Sequence, residues 1–253
     1  MALKTEKKPR VTCITIEHPP VNVLGIELLR ELGQELSACA GDSTIDVVVL
    51  RGAGTRAFSA GMDIRDHTRD KVPEMLDIVH SVIRKLLALP QVTIAAVRGV
   101  CFGGGCELAS CCDLVVASDD SSFATPEIQV GCYPPVALAR FSTLIGYHRA
   151  AEMILTGRHY GAREALDLGL INRVFAEDQF DNGLTSLLDE LLSKSGAVMR
   201  IALKGLRELS LRDFSGALSR SEEIYCHELL QTEDVDEGVR AFLEKRKPNW
   251  KHR

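Results

Sequence analysis

Two glutamates, each beside a turn marked by glycine or proline, are the residues of this chain best suited to moving protons. Glu107 closes the segment Gly99-Val-Cys-Phe-Gly-Gly-Gly-Cys-Glu107, and Glu127 follows Thr125-Pro126. A carboxylate accepts a proton from water and a carboxylic acid donates one to carbon, so a pair can run both halves of an addition or elimination. Each also has a structural explanation. A carboxylate in a first helical turn offsets the helix dipole, and Thr-Pro-Glu is an ordinary helix start. Glu107 stands out because its neighbours are apolar and glycines precede it.

Those glycines allow close approach of the backbone to a ligand, and the helix start beyond them leaves amide N–H groups unpaired. The loop lacks the Gly-Lys-Ser/Thr of a Walker loop and the Gly-x-Gly-x-x-Gly of a dinucleotide fingerprint. An oxyanion-binding turn and a purely structural turn both remain open. A second segment, Ala57-Phe-Ser-Ala-Gly-Met-Asp-Ile64, could present the N–H of Met62. Two amides aimed at one carbonyl oxygen make an oxyanion hole. Asp63, Asp66 and His67 form a polar patch, in which a lone histidine reads as a surface residue. No His and carboxylate spacing resembles a zinc site, and no Gly-x-Ser-x-Gly elbow is present.

Strands and helices must carry these turns. Residues 11–17, 46–51, 92–97 and 114–117 read as strands. Leu24, Leu28, Leu32 and Leu36 recur as one helix face, and Ile78, Val79, Val82, Ile83, Leu86 and Leu87 as another that stops before Pro90. The alternation predicts an α/β core with largely parallel strands, the two glycine turns converging at one sheet edge. From Arg149 onward helices dominate, over 150–155, 163–168, 181–192, 197–209, 215–230 and 234–245. No linker separates them from the core, so they are expected to pack on it.

At 253 residues, with 45% hydrophobic and 26% charged residues, one main domain with an appendage is expected. The net charge of -5 and pI of about 5.8 provide no positive field for nucleic acid or anionic lipid, so neither is expected as a partner. The one basic cluster, Lys245, Arg246, Lys247, Lys251 and Arg253, reads as a solvated end that could still meet a phosphate group. No run approaches the ~18 to 20 apolar residues of a membrane helix, and the polar start 1–10 does not resemble a signal peptide. A cytoplasmic protein is expected. Of the eight cysteines, Cys101, Cys106, Cys111 and Cys112 lack ligand spacing and read as reduced packing residues.

Ala-Phe-Ser-Ala-Gly-Met-Asp-Ile, Gly-x-x-x-Gly-Gly-Gly-Cys-Glu and Phe-x-x-Pro-Glu, in this order and spacing, resemble the crotonase (enoyl-CoA hydratase/isomerase) superfamily. The likeness spans essentially the whole chain, from Pro20-Val-Asn-Val-Leu24 through Leu155-Thr-Gly157 to Glu237-Gly238 and Lys247-Pro248. It implies an α/β spiral of repeated strand-strand-helix units over 1–195 and a helical oligomerisation region over 196–253, assembling as a homotrimer or hexamer. It places the oxyanion amides on Met62 and Gly104 and the catalytic carboxyls on Glu107 and Glu127. It also puts Val23, Ala60, Asp63, Ile64, Gly103, Pro134 and Pro135 around an acyl-CoA thioester, with no metal and no cofactor beyond the CoA of the substrate. Both glutamates being present favours hydration over the isomerases, hydrolases and decarboxylases of the family. One departure bears on the substrate: Gly131-Cys-Tyr-Pro-Pro-Val136 stands where many family hydratases carry a Gly-rich stretch. With Asp63-Ile-Arg-Asp-His-Thr68 it resembles the cyclohexa-1,5-diene-1-carbonyl-CoA hydratases. The alternatives are a general short-chain enoyl-CoA hydratase, or an isomerase or thioesterase on the same fold. RNA binding, which some relatives show, is disfavoured by the acidic charge.

Overall fold

The computed structural model describes residues 3–252. The chain runs through β1 (Leu3–Lys8), β2 (Val11–Ile16), α1 (Ile26–Gly41), β3 (Val47–Gly52), β4 (Ala57–Ser59), α2 (Val72–Ala88), β5 (Val92–Val97), β6 (Val100–Phe102), α3 (Gly104–Ser110), β7 (Leu114–Ser118) and β8 (Ser122–Ala124). It continues through α4 (Pro135–Ile145), α5 (Tyr147–Thr156), β9 (Tyr160–Gly161), α6 (Ala162–Leu168), β10 (Arg173–Phe175), α7 (Phe180–Leu192), α8 (Gly196–Ser210), α9 (Phe214–His227) and α10 (Glu233–Leu243).

The strands form two sheets, where one had been expected. The larger has the order β1-β2-β3-β5-β7-β10 and is parallel except for the β1–β2 hairpin. The smaller has the order β4-β6-β8-β9. Strand, strand, helix recurs as β3-β4-α2, β5-β6-α3 and β7-β8-α4, each unit giving its first strand to the large sheet and its second to the small one. This is the spiral expected from the family resemblance. The sequence pattern does not show the small-sheet strands, because two or three residues are too few to show a period.

Side chains alternate across a strand, and β3 shows the consequence. Val48 and Leu50 face the main core, with Leu32 and Leu36 of α1 and Ile83 and Leu86 of α2. Val47 and Val49 face the other way, onto Phe180, Leu184 and Leu187 of α7. Burial of such a side chain stabilises by roughly 1.5–3 kcal/mol, so a helix on each face explains the unbroken apolar run. β1 had no such signal. It is an edge strand whose lysines face solvent, a composition that discourages pairing with other chains.

Other boundaries differ in detail. Leu24 lies outside α1, which starts at Ile26 after the cap Gly25; Leu24 pairs instead with Met62. The helix expected over 215–230 ends at His227 and resumes as a short 3-10 turn, Leu229–Gln231. The C-terminal helices do pack on the core, α9 against α4 and α10 against the 3-10 turn Pro126–Val130. The eight cysteines are unpaired. No helix among the described residues is long and apolar enough to cross a membrane.

Candidate active site

The first amide is placed by a clasp on the loop before α1. Buried Asn22 accepts from the His18 N–H at 3.1 Å and donates to the carbonyls of Ala57 at 2.7 Å and Ala53 at 3.2 Å. The loop is thereby fixed against β4. The N–H of Leu24 donates to Gly61 at 2.9 Å, and that of Asp63 donates to Leu24 at 3.0 Å. Gly61 and Asp63 both bond toward Leu24, so the N–H of Met62 between them faces away from this pairing.

The second amide belongs to Gly104, the first residue of α3, whose N–H has no partner inside the helix. Gly103 before it has φ 51° and ψ -130°, a conformation that side chains avoid, and its N–H is anchored to Ala124 at 2.9 Å. The two turns touch. A Cβ on Gly61 would lie 3.3 Å from the Gly104 nitrogen, and one on Gly104 would lie 3.6 Å from the Met62 nitrogen. Among the described residues, nothing accepts a hydrogen bond from either N–H. The converging turns follow β4 and β6 of the small sheet, and not the large-sheet strands from which convergence was expected.

Glu107 is buried in α3, and its Oε1 accepts from the Ala137 N–H at 2.9 Å. Burial pushes this carboxyl up to about 7, against the pull of the Ala137 and Val136 amides. Glu127 stands in the Pro126–Val130 turn with Oε1 only 2.6 Å from where a Gly103 Cβ would sit. Its Oε2 is buried with no hydrogen-bond partner. Burial, and then the charge of Glu107, push the Glu127 carboxyl well above the usual carboxylate range. The first proton lost therefore makes the second harder to lose, and the pair titrates as a unit.

Two adjoining spaces serve these groups. An outer cleft of about 260 Å³ is lined by the Ala60-Gly61-Met62 turn, Ile64, Gly103 and Glu127. An inner chamber of about 20 Å³ is bounded by Glu107, Glu127 and Pro135. That is room for roughly one water. Met62, His67 and Glu127 line both spaces.

The structure thus gathers Met62, Gly104, Glu107 and Glu127 with Ala60, Ile64, Gly103 and Pro135. Val23, Asp63 and Pro134 line neither space. Val23 gives its carbonyl to His18, Asp63 binds Arg65, and Pro134 caps α4. His67 is the opposite of the surface residue expected: it is buried, with Nδ1 3.1 Å from the Asp63 carbonyl. Arg246 of the basic tail is held by Glu237 at 2.5 Å, and with Phe242 and Pro248 it borders the outer cleft. His80, Tyr133 and Tyr225 also line the inner chamber, with Met75, Leu76 and Val79 of α2. No motif marks them, and the one hint was a histidine on the apolar face of α2.

An amide pair without acceptors, beside a water-sized space bordered by two buried carboxyls, defines a site for a reaction that develops charge on a carbonyl oxygen while protons move nearby. Residues 6–253 match the enoyl-CoA hydratase/isomerase family, and the chain belongs to that family, within the crotonase superfamily. Among its relatives is a probable enoyl-CoA hydratase of Bacillus subtilis (strain 168), 32% identical over 248 residues that cover 95% of each chain. The cyclohexa-1,5-dienecarbonyl-CoA hydratase of Thauera aromatica is 30% identical over 240 residues, covering 95% of this chain and 92% of its own. The crystal structure of an enoyl-CoA hydratase from Mycobacterium avium subsp. paratuberculosis K-10 superposes with a TM-score of 0.90 at 28% identity, covering 99% of this chain and 98% of that one.

Proposed function

We propose that this chain is an acyl-CoA hydratase that adds water to a conjugated enoyl-CoA. One observation carries this reading: the Met62 and Gly104 N–H groups lack acceptors beside a water-sized chamber walled by Glu107 and Glu127. The thioester oxygen takes hydrogen bonds from both amides. Water in the chamber gives one proton to a carboxylate as its oxygen bonds to the β-carbon. The electron pair of the double bond moves toward the thioester, and the other carboxyl protonates the α-carbon. The amides stabilise the enolate between these steps, and losing one such donor typically costs ~10² to 10³ in rate. Addition of water is redox-neutral, so the reaction calls for no cofactor beyond the CoA that the substrate carries. The test is a panel of acyl-CoAs followed by loss of enoyl absorbance. Release of free CoA thiol from saturated esters, with no hydration of enoyl esters, would point to a thioesterase instead.

The finer substrate reading is a cyclic dienoyl-CoA. Pro135 borders the chamber beside both glutamates, and its ring fixes the backbone and removes an amide donor from this wall. A rigid apolar wall suits a flat alicyclic ring better than a long flexible chain. Cyclohexa-1,5-diene-1-carbonyl-CoA is then hydrated with higher kcat/KM than crotonyl-CoA. Crotonyl-CoA proving better by roughly tenfold, about 1.4 kcal/mol, overturns the ring reading and leaves the general hydratase.

The region 196–253 is read as the oligomerisation element of a homotrimer or hexamer. Its support is α8, where Val198, Ile201, Leu206 and Leu209 lie 63–73% exposed along one side.

A further inference from the structure

A water in the inner chamber needs more partners than the reacting carboxyls supply. It has two hydrogens and two lone pairs. In hydration one lone pair goes to the β-carbon and one hydrogen to the carboxylate that acts as base. The second hydrogen stays on the oxygen and becomes the hydroxyl hydrogen of the product. The other carboxyl meanwhile carries the proton destined for the α-carbon. Unless the second hydrogen has an acceptor of its own, the water can turn in place and point its lone pair away from the alkene.

Beyond the two carboxyls, the wall of the chamber has an acceptor to spare. Tyr133 donates its hydroxyl to the Ser221 carbonyl at 2.7 Å, and the Tyr225 hydroxyl meets the Cys132 thiol. His80 is different. It is fully buried on α2, with Nδ1 2.8 Å from Glu222 Oε2 on α9, and its Nε2 is buried with no hydrogen-bond partner. A carboxylate only accepts, so Nδ1 carries the hydrogen and Nε2 presents a lone pair. Burial, which outweighs the opposing pull of Glu222, lowers the pKa of the ring. Nε2 is thus suited to accept a hydrogen bond without taking the proton. The space of about 20 Å³ holds roughly one water, and its wall includes Glu107, Glu127 and His80.

We propose that His80, fixed in this tautomer by Glu222, accepts the hydrogen that the attacking water keeps and so aims the water's lone pair at the β-carbon. His80 gains no proton at any stage. One water hydrogen goes to the base carboxylate, the other remains in the product hydroxyl, and the α-carbon takes its proton from the second carboxyl. The inference rests on the hydratase reading, which makes the chamber water the nucleophile. It has His80 serve the turnover of water and not the binding of the ester.

Two reactions of the same site separate this role from a structural one. Hydration of an enoyl-CoA needs the attacking water, whereas exchange of the α-hydrogen of the matching saturated acyl-CoA with D2O needs only the amide pair and a carboxylate. His80→Leu removes the acceptor without reaching farther into the chamber. It should lower kcat for hydration by about tenfold, the scale of one lost hydrogen bond, with KM and the exchange rate within about twofold of wild type. His80→Gln, whose amide oxygen accepts, should recover most of the loss. Glu222→Leu changes no group that lines the chamber but releases the tautomer, and it should lower kcat in the same selective way. Hydration by folded His80→Leu within about twofold of wild type overturns the proposal, and so does an equal fall of hydration and exchange. Where His80→Leu does not fold, unchanged hydration by Glu222→Leu overturns it. A wild type that hydrates no enoyl ester overturns the hydratase reading and this inference with it. A wild type that hydrates, matched by its His80 variants, overturns this inference alone.

Discussion

Alanine at Gly103 would test whether the placement of Glu127 is what the glycine turn provides. Gly103 sits at φ 51° and ψ -130°, and forcing a side chain into such a region costs roughly 1–3 kcal/mol. The new methyl would fall 2.6 Å from Glu127 Oε1 and 3.3 Å from its Cδ. Ordinary contact begins near 3.4 Å, so the carboxylate must retreat by roughly 0.8 Å. A misplacement of about 1 Å in a reacting group can cost ~10²-fold in rate. Gly103→Ala should therefore lower kcat on an enoyl-CoA by about two orders of magnitude. The backbone cost should lower Tm by roughly 2–12 °C, at ~2–4 °C per kcal/mol for a chain of this size. Gly169→Ala is the control: φ is 82° there and nothing lies within 4 Å of the added methyl. It incurs a backbone cost of the same kind and should keep turnover. Initial rates of enoyl absorbance loss and thermal melts on both variants decide the matter. Gly103→Ala turning over within about threefold of wild type, with its Tm lowered, would refute the reasoning.

Changing Glu107 or Glu127 to Gln should cut hydration by orders of magnitude while CoA-ester affinity, read by titration, stays largely intact; near-normal turnover in either variant contradicts the assignment. The raised carboxyl of Glu107 also carries a stability signature. A group whose native pKa is raised to about 7 stabilises the fold below its ordinary value and loses that contribution as pH climbs through the raised one. Glu107→Gln cannot ionise, so its Tm relative to wild type should rise between about pH 4 and pH 8, and a flat difference would argue against the raised pKa. Ile201 is 73% exposed on the apolar side of α8, so Ile201→Asp should yield smaller species than wild type by light scattering. A clean monomer for the unaltered chain would contradict the trimer or hexamer. A Cβ on Gly238 would sit 2.2 Å from the Val130 carbonyl, so Gly238→Ala should push α10 off the turn that carries Glu127, lowering both Tm and kcat; normal values for both would show that α10 does not brace the site.

What the sequence determined by itself was local. Residues within one strand-turn-helix segment set their own geometry, so the turns at 57–64 and 99–107, the strand 92–97 and both glutamates could be read directly. The unbroken apolar run Val47, Val48, Val49 and Leu50 fits a strand buried on both faces, although it does not say which helix covers which face. Tertiary structure alone decided the rest. Leu24 kept the helical spacing of Leu28 and Leu32, yet its partner is Met62, whose turn leaves the Leu24 carbonyl and amide nowhere else to bond. His67 has the neighbours of a surface residue and is buried because the cleft closes around it. The inner chamber needs α2 and α9 to meet, and the hydrogen bond that marks their meeting joins His80 to Glu222 across 142 positions. Local order follows from hydrogen bonds and sterics within a few residues, which leave a pattern in the sequence. The chamber follows from burial shared among distant segments, and side-chain burial is a property of the packed chain that no single segment records.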